Sequence, residues 1–143
     1  KGSAMTGFRV GFACGPKEVI AAMTKIHSFS MLCAPIVSQF AGIESLRAQR
    51  EVAFMRREYM RRRDFIVKEL NRIGLRTPNP QGAFYCFSSI EKTGMDSLSF
   101  AKRLLSIEKV AVVPGVAFGA GYGGYVRISY ANTIDNLKEA VAR

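Results

Sequence analysis

From about Arg50 to Ile73 the sequence reads as one amphipathic helix, and this run does most to decide how the chain can be laid out. Val52, Met55, Tyr59, Phe65, Ile66 and Leu70 recur at helical spacing, and Arg56, Arg57, Arg61, Arg62 and Arg63 fall between them. No glycine or proline interrupts it, and Gly74 closes it. Before it the pattern is mostly helical; after it come turns, aromatic strands and short helices. The chain therefore divides into residues 1–48, a connecting helix over 49–74, and a compact unit over 75–143.

In the first segment, "FRVGFAC" from Phe8 to Cys14 predicts a short strand closed by Gly15-Pro16. Pro16 suits a first helical turn, Glu18 complements the helix dipole, and Val19, Ile20, Met23, Ile26 and His27 continue with helical period. Phe29, Met31 and Leu32 extend that apolar face. Pro35 interrupts, because it lacks an amide hydrogen and biases Ala34 away from helix. A second helix then carries Ile36, Phe40, Ile43 and Leu46 as one stripe.

Beyond Gly74 the signals change. Pro78 to Gly82 form a turn, and Ala83 to Phe87 an aromatic strand. Ser97 to Ile107 predict a helix with Asp96 as N-cap. "VAVVPG" from Val110 reads as a strand, and "YVRISYA" from Tyr125 as another, its Val126, Ile128 and Tyr130 alternating with Tyr125, Arg127 and Ser129. A last helix runs from about Ile134. "GAGYGG", Gly119 to Gly124, precedes a strand instead of following one, so it reads as a surface turn and not a dinucleotide fingerprint.

The 143 residues carry 21 Lys and Arg against 11 Asp and Glu, a formal charge of +10. That balance would suit a phosphate-rich or membrane-surface partner, and the Arg-rich helix keeps open a non-enzymatic nucleic-acid-binding module. Against it, Glu51, Glu58 and Asp64 are interspersed and no nucleic-acid-binding signature accompanies them, so neither nucleic acid nor membrane is the expected partner. No run approaches about 18 apolar residues, the length a membrane helix needs. Cys14, Cys33 and Cys86 lack metal-ligand or CxxC spacing and read as reduced core thiols of a cytoplasmic protein. His27, the single histidine, has no partner at ligand spacing, so no metal is expected.

Two places could carry chemistry. Arg127 sits mid-strand among apolar residues, where a guanidinium is costly to bury unless an anion meets its donors; an exposed strand face is the other reading. Lys1 and Arg9 flank a turn in which Gly2 and Gly7 impose no side chain and Ser3 and Thr6 add hydroxyls, a backbone able to approach an anion.

The stretch "KGSAMTGFRVG" resembles the cofactor-lysine motif of class I/II aminotransferases, aspartate aminotransferase-like enzymes of pyridoxal-phosphate fold type I. That motif is a lysine, two variable residues, Ala-Met-Thr-Gly, an aromatic, an arginine, an aliphatic and a glycine. "ACGPKEVIAAM", "MLCAPIVSQFAGIESL", "PQGAFYCFSSI", "VAVVPGVAFG" and "GYVRISYANTIDNLKEA" resemble later landmarks of the family in its order. The resemblance implies an α/β fold: the end of the large cofactor domain, a long helix, and a small α+β domain with helices on a short, mainly antiparallel sheet. It implies a C-terminal portion only, inactive by itself, of an enzyme moving an amino group between an amino acid and a 2-oxo acid. By the same resemblance pyridoxal 5'-phosphate is the cofactor, Lys1 bonds its aldehyde and moves the substrate proton, Arg9 holds its phosphate, and Arg127 clamps the substrate carboxylate. A homodimer is implied as well. A pyridoxal-phosphate-dependent C–S lyase or related fold-type I enzyme is the alternative within the same fold type.

Overall fold

The computed structural model describes residues 2–143. Five α-helices and three strands follow in the order α1 (Lys17–Ser30), α2 (Ile36–Arg47), α3 (Gln49–Arg72), β1 (Tyr85–Ser89), α4 (Ser97–Glu108), β2 (Val113–Pro114), β3 (Tyr125–Ser129) and α5 (Ile134–Ala142). The chain falls into two compact units, Lys1–Met55 and Arg56–Arg143.

The second unit is built on a sheet of order β1-β3-β2 with both pairs antiparallel. Its register sets Cys86 opposite Ile128 and Ser88 opposite Val126, and alternates these with Tyr85 opposite Ser129 and Phe87 opposite Arg127. Because side chains alternate along a strand, the two sets lie on opposite faces. Cys86 and Tyr130 join Ile66 and Leu70 of α3 and Leu137 of α5 in the buried core, with Tyr59, Phe65, Phe84, Ile128 and Ile134 packed around it. The other face carries Tyr85, Phe87, Tyr125 and Arg127, and it positions the candidate site.

The end of α3 and the shortness of β2 follow from particular residues. At the end of α3, the amide of Gly74 donates to the Asn71 carbonyl at 3.1 Å and that of Leu75 to Leu70 at 2.9 Å. This double closure needs a left-handed residue, and Gly74 supplies it with φ +92°. The Asn71 side chain then accepts from Thr77 N at 3.0 Å and donates to Thr77 O at 2.9 Å, tying the exit turn to the helix. The short β2 reflects Pro114, which has no N–H for a longer ladder.

At α4 the expected cap is present: one carboxylate oxygen of Asp96 accepts from the amides of Leu98 and Ser99, each at 3.0 Å. Hydrogen bonds from Ser99 hold the Asp96 carboxyl below its ordinary value, outweighing a small opposing effect of burial. A lowered folded-state value means the contribution is present above the unfolded carboxyl's pKa of about 3.9 and is lost as pH falls through the lower folded value. Asp96→Ala should therefore lower Tm by a few degrees at pH 7, with the gap to the parent closing in acid; an equal gap at pH 7 and pH 2 would remove the cap from this role. Thr133 caps α5 likewise, accepting from Asn136 N at 3.2 Å.

The first unit departs from expectation. Residues 8–14 form no strand: Thr6–Phe8 make a 3₁₀ turn, Arg9 follows in the left-handed region, and the chain then runs without regular structure to α1. A strand requires a neighbour for its ladder, and among the described residues none pairs here. The apolar stripes of α1 and α2 remain uncovered. Ile26 is 69%, Phe29 87% and Phe40 66% exposed, whereas the buried residue of α2 is Ser38. Cys14 and Cys33 are exposed for the same reason, and of the three expected core thiols only Cys86 is buried. The strand expected over 83–87 lies two residues later, because Ala83 takes a left-handed conformation (φ 61°) before the chain extends.

Candidate functional site

Lys1 lies outside the described residues. Arg9 closes the turn that follows: at φ 51° and ψ 40° it holds a conformation few non-glycine residues adopt, and its Nη1 donates to the Thr6 carbonyl at 3.2 Å. The side chain is exposed and borders a concavity of about 330 Å³ lined by Met5, Thr6, Arg9, Val10 and Gly11. A Cβ placed on Gly7 or Gly11 would meet nothing within 4 Å. A cation with spare donors beside open backbone is a donor set that fits an anionic oxygen cluster such as a phosphate.

Arg127 belongs to the second unit. It lies mid-β3 between Phe87 of β1 and Val113 of β2 in register, half-buried. Among the described residues no carboxylate lies within ion-pairing distance of it. Its neighbours are rings instead: the guanidinium carbon stands 4.3 Å from the Tyr85 ring centre and 4.7 Å from that of Phe118. Phe118 comes from the 3₁₀ turn Gly115–Phe118, and its ring meets Phe87 edge-on at 5.9 Å. Phe87 stacks on Tyr125 at 5.3 Å and meets Tyr122 edge-on at 5.4 Å, so the arginine stands at the border of an aromatic bed.

The sequence had singled out Arg127 but not its rings. Tyr85 was within reach of period-two reasoning, since it shares parity with Phe87, the cross-strand partner of Arg127. Phe118 was not, because a turn and not a strand delivers it.

The other candidates resolve differently. On α3, Glu58 takes Arg61 at 2.9 Å and Arg62 at 3.0 Å, Asp64 takes Arg63 at 2.7 Å, and Glu69 takes Arg72 at 2.7 Å. Much of the basic helix is thus balanced by its own carboxylates, and Glu58 is held below its ordinary value by the hydrogen bonds from Arg61 and Arg62. Burial pushes the Cys86 thiol from 9.0 to about 11, which suits a packing residue and not a nucleophile. Among the described residues no cluster of His, Cys, Asp and Glu could hold a metal ion, and no helix is long and apolar enough to cross a membrane.

Comparison with known proteins follows the same lines. YugH of Bacillus subtilis, designated as an aminotransferase, is 50% identical over 144 residues, covering all of this chain and 37% of its own length. The aspartate aminotransferase of Pyrococcus abyssi is 46% identical over 143 residues, covering 98% of this chain and again 37% of its own. The crystal structure of an aromatic aminotransferase from Pyrococcus horikoshii superposes with a TM-score of 0.93 at 43% identity, over 99% of this chain and 39% of that one. The chain thus spans a little over a third of the length of the relatives it matches. The model of the family described as aminotransferase class I and II, a family generally dependent on pyridoxal phosphate, matches residues 1–143. With that match along the whole chain, and with a small antiparallel sheet backed by helices, the protein belongs to the class I and II aminotransferases.

Proposed function

We propose that this chain is the C-terminal portion of a pyridoxal-phosphate-dependent enzyme that moves an amino group between an amino acid and a 2-oxo acid. The observation carrying this reading is an arginine with no carboxylate partner among the described residues, held mid-strand against two rings, in a chain whose whole length matches the family. In the proposed enzyme residues 1–48 close the cofactor domain, 49–74 connect, and 75–143 form the small domain. The protein acts as a cytoplasmic homodimer in this reading.

Pyridoxal phosphate, when bound, supplies an electron sink that makes the substrate Cα–H acidic. The chain's own residues do the rest. Arg127 presents its donor edge to the substrate carboxylate, and a planar fork meeting a planar carboxylate fixes orientation as well as position. Arg9 holds the cofactor phosphate by charge-assisted hydrogen bonds from an exposed side chain. Lys1 takes the proton from the substrate Cα through its amine, which must be neutral to act as a base; a cationic neighbourhood favours that form.

The test is turnover by the full-length protein over a panel of amino acid and 2-oxo acid pairs, beside a Lys1→Ala variant. The parent should be yellow and active; the variant should lose at least about 10³-fold in kcat, the scale of losing a general base. Activity retained by Lys1→Ala would overturn the reading, as would turnover by the 143 residues alone.

A further inference from the structure

A guanidinium has a weakly hydrated face that stacks and an edge that carries its donors. In this chain the Arg127 guanidinium carbon lies over the Tyr85 and Phe118 rings, 4.3 and 4.7 Å from their centres, and among the described residues no protein acceptor takes its N–H donors. Phe118 is 42% exposed, so it does little for the core, yet it is held in place from several sides. Its turn begins at buried Gly115, Ser97 Oγ accepts from Val116 N at 3.4 Å, and its ring rests against Phe87. Tyr85 arrives independently, by strand register, on the same sheet face. Two separately anchored rings therefore converge on one flexible side chain.

We infer that Tyr85 and Phe118 are positioning residues that fix the plane of the Arg127 guanidinium, so that a substrate carboxylate meets an already oriented fork. This rests on the reading of Arg127 as the carboxylate clamp. Freezing a long arginine has an entropic cost, and a side chain already parked on two rings has met that cost before substrate arrives. The effect falls on substrate binding in both half-reactions, since amino acid and 2-oxo acid carry the same carboxylate.

Steady-state kinetics of the full-length holoenzyme test it. Phe118→Leu should raise KM for both substrates about tenfold, between the scales of an exposed and a desolvated cation–π contact, with kcat within about twofold. Phe118→Tyr should restore the parent KM. Tyr85→Leu should repeat the loss and Tyr85→Phe should not; this pair serves where Phe118→Leu does not fold. In an Arg127→Lys background, where there is no plane to hold, Phe118→Leu should add nothing. An unchanged KM in both leucine variants, beside a raised KM in Arg127→Ala, overturns this inference alone. An unchanged KM in Arg127→Ala overturns the carboxylate reading and this inference with it.

Discussion

Arg127→Ala in the full-length enzyme is expected to lower kcat/KM for both the amino acid and the 2-oxo acid by roughly thirty- to several-thousand-fold, while the cofactor stays bound. The figure follows from removing one partner of a hydrogen-bonded charge pair, about 2 to 5 kcal/mol, at 1.4 kcal/mol per factor of ten. Alanine also frees Tyr85 and Phe118 from the guanidinium, so part of the loss reflects rings that repack over the vacated space. Cofactor retention separates the two arginines: Arg9 lies in the other unit, and losing it should release cofactor instead. Unchanged kcat/KM would take Arg127 out of the site.

The second large effect concerns folding. A Cβ on Gly115 would overlap the Tyr122 carbonyl oxygen and come within 2.5 Å of that of Tyr125. Both are backbone atoms, so relief requires moving the turn away from the start of β3. Overpacking of a well-packed site costs about 1–3 kcal/mol, more where the obstacle is main chain. Gly115→Ala should therefore lower Tm by roughly 10 °C or more, or leave the second unit unfolded. Gly121→Ala is the matched control, because nothing lies within 4 Å of its Cβ position, and it should shift Tm by no more than a degree or two. Equal behaviour of the two variants would show that the turn is free to move.

Tyr130 offers a smaller test of the same unit. It is 2% exposed, and its hydroxyl donates at 3.1 Å to the carbonyl of Ala83, the left-handed residue ahead of β1. Tyr130→Phe leaves that acceptor without its donor and should cost about 1 kcal/mol in urea denaturation. No change in midpoint would mean that water replaces the hydroxyl.

What the sequence disclosed follows from which forces are local. Asp96 at the head of α4 and Gly74 at the foot of α3 act within one helical turn, and both work as read. The antiparallel character of the sheet came from the family resemblance, and the alternation along Tyr125–Ser129 from its own period. Failures cluster where an element depends on something non-local. The predicted strand over 8–14 has alternation enough but no partner among the described residues, and Phe40 in α2 has helical spacing yet is 66% exposed. Likewise Arg127 was visible as an anomaly in its strand, whereas Phe118 reached it through a turn whose path no residue pattern encodes.

The unequal burial of the three thiols makes the chain its own reporter. Cys14 and Cys33 are exposed, while Cys86 is fully covered at the centre of the second unit's core. In the isolated chain a thiol reagent should label the first two at once and reach Cys86 only when β1 parts from its neighbours. The lag between two and three labels then measures the opening of the second unit directly, with no engineered probe, and ranks Gly115→Ala, Tyr130→Phe and Asp96→Ala on one scale.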